Sequence, residues 1–271
     1  MRRKKVRFTN VDLTLVLLLF LAGGWLIWRA HVALDHDWDW SAIPGYLIRQ
    51  NPETGAWGLG LLGMGFVTTI RLSLWSMTLA LILGTIVGLA RSGRGLAKRL
   101  LAATYVEGVR NVPPLVLVFI FYFILSDQIL PLLGLDRLLN PSSETGRAML
   151  TLFFAPPEQA QAFLAAVITL SLFEAAYIAE IVRGGIQSVD RGQWEASAAL
   201  GMGPLRQMTL IVLPQAVPRI LPPLAGQFVS TIKDSAIVSV ISIRDLTFQG
   251  TEIMAATFLT FEVWLTVTAL Y

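Results

Sequence analysis

The sequence predicts an all-α polytopic membrane protein, and three observations carry that expectation. Of its 271 residues, 55% are hydrophobic and only 14% charged, well on the apolar side of soluble domains. Six apolar runs approach the length of about 20 residues that a spanning helix needs. The segments between the runs alternate between basic and acidic, as loops on opposite sides of a bilayer do. Cysteine is absent, which excludes disulfides, iron–sulfur clusters and thiolate zinc sites, and the histidines, His31 and His36, share one loop, so no metal site is expected. A net charge of +3 is too small to argue for a nucleic-acid partner.

The first run, Leu13 to Trp28, follows the basic MRRKKVR. A cleaved signal peptide competes for residues 1–30, since Ala22-Gly23-Gly24 mimics a cleavage site. The apolar run continues through Trp25 to Trp28, however, which favours an added transmembrane helix behind a short tail. Residues 31–60, rich in Trp and turn formers, read as an external linker. The second run is Phe66 to Ala90, with a small-residue face at Gly84 and Gly88 suited to helix packing. The third is Val112 to Leu125, extended back through Tyr105, with Glu107 and Arg110 spaced to pair structurally. Residues 126–161 carry four prolines and read as broken helical turns near the surface. The fourth run is Phe163 to Val182, the fifth the proline-rich Val217 to Ile243, and the sixth Phe258 to Tyr271. The sixth supplies 14 residues and reads as cut short, with more chain expected beyond Tyr271.

Lysine and arginine set the orientation. Arg2, Arg3, Lys4, Lys5 and Arg7 precede the first run, Arg91, Arg94, Lys98 and Arg99 follow the second, and Arg183, Arg191, Arg206 and Arg219 surround the fourth-to-fifth loop. These loops are expected in the cytoplasm with the N-terminus, and residues 31–60 and 126–161 in the periplasm. In the long loop 184–213, SVDRGQWEASAAL suits a short helix capped by Ser188 or Asp190, with Gly201 at the left-handed position past its end. A second helix starts at Pro204, with Leu205, Met208 and Val212 forming an apolar stripe opposite Arg206 and Gln207. Pro214 and Pro218 are expected to break that pattern as the chain returns to the membrane. On periodicity alone this is an amphipathic helix lying on the lipid surface.

The stretch EASAALGMGPLRQMTLIVLP, residues 195–214, resembles the signature loop of permease subunits of ATP-binding cassette importers. The resemblance rests on Glu195 and Ala196, Gly201 six residues after the Glu, Ile211 ten further on, and Leu213-Pro214, with Ser197 in place of the usual second alanine. EGVRNVPPLVLVFIFYF (107–123), EAAYIAEIVRGGI (174–186) and LAGQFVSTIKDSAIVSVI (224–241) resemble further stretches of the polar amino-acid permeases of the histidine, glutamine and general amino-acid type. The resemblance covers residues 60–271 and implies a type I importer permease fold, a five-helix core with one extra N-terminal helix. It implies a multi-pass protein of the bacterial inner membrane that imports polar amino acids. The implied partners are a second permease subunit, same or homologous, ABC ATPase subunits that bind ATP and Mg, and a periplasmic amino-acid-binding protein. It implies no cofactor in this chain, and 93-GRGLAK-98 fails the phosphate-loop pattern. The helix from Gly203 to Val212 then becomes the coupling helix, and Glu195, Ala196, Gly201, Pro204, Leu205, Met208, Leu213 and Pro214 the residues that couple to the ATPase.

Charges inside apolar runs are costly, of order 3 kcal/mol each, and mark sites. Lys233 and Asp234 in the fifth run, and Glu174 with Tyr177 one turn on in the fourth, are the substrate-binding candidates. A structural Lys–Asp pair or a helix break accounts for the fifth-run charges equally well. Among rival functions, a secondary transporter would show a repeat, and none is seen; an enzyme would need a nucleophile or metal set; a channel without ATPase coupling remains the rival on composition.

Overall fold

The computed structural model describes residues 10–33, 38–50, 55–93, 95–134 and 139–271. The chain divides into two compact units, Met1–Ser41 and Ala42–Tyr271. The first holds α1 (Asn10–Ala33), apolar on all sides and with no helical hydrophobic face. That pattern suits lipid around the whole circumference.

The second unit opens with α2 (Ile43–Leu47) and an antiparallel pair of short strands, β1 (Ile48–Gln50) and β2 (Trp57–Leu59). Part of the expected linker is therefore folded: Ile43, Tyr46 and Leu47 pack in one cluster with Leu62, Leu246 and Val263. Helix α3 (Leu61–Ser92) carries the second run, and α4 (Leu96–Asn111) follows it. The third run does not continue back through Tyr105 as one helix. It is α5 (Pro114–Phe123), separated from α4 where Val112 and Pro113 are extended. A proline disfavours helical geometry in the residue before it, and the Pro113-Pro114 pair ends one helix and starts the next. The path goes on through a π-helical turn, Ile124–Ile129, and a 3-10 turn, Pro131–Leu133.

The segment expected near the surface contains the amphipathic α6 (Glu144–Phe153), capped by Ser143 Oγ, which accepts from Gly146 N at 3.1 Å. After Pro156 comes α7 (Pro157–Gln187), the most buried of the spans. Its broadest contact is with α3. The small-residue face makes that contact possible: a Cβ on Gly84 would lie 2.7 Å from Ile178, and one on Gly88 2.8 Å from Ala179 O. The packing reading of these glycines holds.

The loop after α7 forms α8 (Arg191–Ala199). Next, α9 (Pro204–Arg206) runs through a π-helical turn, Gln207–Val212, into α10 (Leu213–Asp234), and a 3-10 segment, Ser235–Ile241, extends it. Pro214 and Pro218 thus do not break the helix, contrary to the sequence reading. The wide π turn ahead of Pro214 relieves the clash that a proline ring makes with the carbonyl four residues back. Finally α11 (Leu246–Thr257) and α12 (Thr260–Leu270) pack as a pair. Among the described residues, four helices are long and apolar enough to cross a membrane, and shorter apolar helices cover Asn10–Leu26 and Thr260–Leu270.

Candidate functional site

Two places combine the residues singled out by the sequence: the loop around α8, and a polar cluster between α7 and α10.

The loop is held by local hydrogen bonds. Of the two cap candidates, Asp190 does the capping, its carboxylate accepting from Gly192 N at 2.7 Å. At the other end Gly201 N donates to Ala198 O at 2.9 Å and Met202 N to Ser197 O at 3.1 Å. Gly201 has φ +74°, the left-handed conformation expected of it. Ser197 is buried, donating to Trp194 O at 2.9 Å, and Trp194 packs against the cluster around Met77, Ile178 and Val212. Glu195 and Ala196 lie on the opposite, exposed face.

The apolar stripe of the second helix is split. Val212 is buried and Met208 packs beside it, whereas Leu205 is 77% exposed, with Leu200 and Leu210 similarly bare. Gln207 is not on a polar outer face with Arg206; it is buried, and its amide donates to Met202 O at 3.0 Å, pinning the turn. Leu213 is half-buried, and Pro204 and Pro214 are exposed. The loop is fastened to the span that follows: Gln215 donates to Gln193 Oε1 at 3.3 Å, and Arg219 donates to the carbonyl and hydroxyl of Ser188. The result is a loop tethered to the next span that exposes one carboxylate and three leucines.

Beside the loop, Arg91 bridges Glu180 at 2.6 Å and Glu107 at 3.0 Å, and Arg183 also pairs with Glu180. The expected Glu107–Arg110 pair is not made: Arg110 lies over the Tyr177 ring, 5.4 Å from its centroid. Arg91 thereby ties α3, α4 and α7 together.

In the second place, Glu174 is completely buried and accepts from Gln227 Nε2 at 2.6 Å, while its Oε1 has no hydrogen-bond partner. Thr231, also buried, donates to Gln227 O at 2.9 Å, and the half-buried Asp234 carboxyl adjoins that of Glu174. Of the four candidates, the structure brings Glu174 and Asp234 together and leaves the other two apart. Lys233 is exposed and makes no ion pair with Glu174 or Asp234 within the described residues, since successive helical residues point in different directions. Tyr177 is packed on Phe173 and Arg110. The sequence reading missed Gln227, although Gln227, Thr231 and Asp234 recur at spacings of four and three, one polar stripe on an apolar helix. It also missed Arg71, which lies inside α3 and lines a small cavity with Thr68, Gln159 and Ser242.

A helical bundle with four helices long and apolar enough to cross a membrane, a loop helix at its basic end and carboxylates between two of the spans fits a membrane transport component. The chain belongs to the family of binding-protein-dependent transport system inner membrane components, whose model matches residues 80–271. It is 32% identical over 240 residues to the glutamine transport system permease protein GlnP of Escherichia coli strain K12, covering 88% of this chain and 90% of that one. It is 30% identical over 220 residues to the glutamate/aspartate import permease protein GltJ of the same strain, covering 80% and 81%. The fold matches a crystal structure of an amino acid ABC transporter with histidines at TM-score 0.63 and 30% identity, over 87% of this chain and 92% of that one. The type I importer permease fold is therefore that of this chain, which is a multi-pass inner-membrane permease, without an ATPase site of its own.

Proposed function

We propose that this permease imports polar amino acids, driven by ATP that separate ABC ATPase subunits hydrolyse with bound Mg, with a second permease subunit beside it and a periplasmic binding protein delivering the substrate. The observation that carries this reading is the loop: a rigid helix, stopped by a left-handed Gly201 and locked to α10, presents Glu195, Ala196, Leu200 and Leu205 as a lever. Force applied to α8 passes through Gln193–Gln215 and Ser188–Arg219 to the foot of α10, the helix that holds Gln227 and Asp234. ATPase motion and the polar cluster are then two ends of one mechanical element. The lever extends from α8 into Pro204, Leu205, Met208, Leu213 and Pro214, so the coupling surface is α8 with its turn, continuous with the spanning helix.

An amino acid carries an ammonium and a carboxylate. In this proposal Asp234, backed by Glu174, takes the ammonium, Lys233 takes the carboxylate, and Tyr177 borders the path. The linker 31–60 and residues 126–161 face the periplasm, and the N-terminus and 184–213 the cytoplasm. The test is uptake of a panel of labelled amino acids into proteoliposomes holding the complex with its ATPase and binding protein. Uptake that needs both ATP and the binding protein supports the reading. Flux that proceeds without ATP establishes the channel alternative.

A further inference from the structure

At the basic end of the larger unit, the end of α3, the first turn of α4 and the start of α8 border an open pocket of about 560 Å³. This is within the usual size of small-molecule sites, roughly 300–1,000 Å³. Arg91, Arg99, Arg191, Gln187 and Trp194 are among the residues lining it, and among the described residues no carboxylate does. Arg91 is fixed at the wall by Glu180 and Glu107. Arg99 and Arg191 form no ion pair with any described residue. They come from different elements, α4 and α8, so two exposed guanidinium groups without an ion-pair partner among the described residues border one pocket. Such an arrangement is favourable when an anion stands between them, and the planar fork of arginine suits phosphate oxygens.

The surroundings fix the level of the cavity. The first turns of α4 expose Leu96, Leu100 and Leu101 next to Lys98 and Arg99. Apolar side chains with basic ones beside them are the pattern of the headgroup region, where anionic headgroups meet basic pockets. Trp194, amphipathic and half-buried, forms another wall.

We propose that this pocket binds a phosphate-bearing anion, the same chemistry whether carried by an acidic phospholipid headgroup or by a soluble phosphate, and that the bound anion ties α8 to α4 and the end of α3. The occupant thereby adds a second restraint on the loop helix, besides its Gln193–Gln215 tether. The site is independent of the transported substrate.

The test uses the full chain purified in detergent, with thermal unfolding followed on adding phosphatidylglycerol, phosphatidylcholine or inorganic phosphate, and native mass spectrometry counting retained lipid. Variants are Arg99→Gln, Arg191→Gln and Arg191→Lys, with Lys98→Gln, which removes the same charge from α4 outside the cavity, as the control. The proposal expects stabilisation by an added phosphate compound, with affinity weakened about tenfold by each Arg→Gln change, less by Arg191→Lys, and unchanged in Lys98→Gln. Stabilisation by phosphatidylglycerol and not by inorganic phosphate assigns the lipid source, and stabilisation by inorganic phosphate alone the soluble one. No stabilisation by either, or equal weakening in Lys98→Gln, overturns the proposal, because the charges then act only as a diffuse surface.

Discussion

Gly201 shows how much one backbone angle controls. Its φ of +74° places it in the left-handed region, and an added Cβ there meets no atom within 4 Å. The penalty for a side chain is therefore conformational, not steric crowding, of order 1–2 kcal/mol for a non-glycine residue and more for a β-branched one. Gly201→Val is expected to abolish uptake and ATPase stimulation by the binding protein while membrane insertion persists, and Gly201→Asn, which tolerates this region, to retain most of both. Equal activity in Gly201→Val and wild type would remove the turn from the coupling path. Gln227 makes the opposite argument, since its partner lies far away in sequence. Gln227→Leu removes the amide that donates to the buried Glu174 carboxyl and is expected to cost about 2 kcal/mol of stability, read as a lower unfolding temperature in detergent, whereas Lys233→Gln, exposed and unpaired with either acid, should leave it unchanged. Gly201 and Asp190 were legible because caps and stops depend on residues a few positions apart. Gln207 and Gln227 were not, because what they bind is set by tertiary packing, and a glutamine looks the same in sequence whether it faces water or a buried acid.

Between elements, the helix boundaries follow the prolines, but not uniformly. Pro113-Pro114 separates α4 from α5, while Pro218, Pro222 and Pro223 sit inside α10 without ending it. The prolines inside α10 are tolerated because freed backbone carbonyls in a spanning helix can be met by adjusted turns and neighbouring side chains. This is why the apolar runs were readable while the return from loop to span was misjudged. Glycine spacing was the more dependable signal. Gly84 and Gly88 sit where α3 meets α7 so closely that a Cβ would fall within 2.8 Å of Ile178, Ala175 O, Ala179 O or Val182. Gly84→Leu must push these helices apart or distort them, at a cost of about 1–3 kcal/mol or more. The expected result is a sharp loss of detergent-stable protein, while Gly108→Ala, on α4 with open space around it, should be tolerated. Comparable yields of both variants would show that α3 and α7 do not depend on this contact.

For the larger unit as a whole, charge and packing point to one orientation. Arg91, Arg183 and Arg219 meet α7 and its cap at one end, and Arg99 and Arg191 share the cavity there. The segment before α7 instead begins α6 with Glu144 and carries Glu158 in the first turn of α7. If basic residues are retained on the cytoplasmic side, the loop helix α8 is expected inside and Ser143 outside. The chain contains no cysteine, so each introduced thiol reports alone. Ser143→Cys and Ala198→Cys both lie at exposed positions, one on the cap of α6 and one on the outer face of α8. In cells whose outer membrane has been made permeable, a membrane-impermeant maleimide is expected to label the Ser143→Cys protein at once and the Ala198→Cys protein only after the inner membrane is opened. The reverse order would place α8 in the periplasm, out of reach of any ATP-hydrolysing partner, and the lever from Glu195 to the carboxylates at Glu174 and Asp234 would then have nothing to drive it.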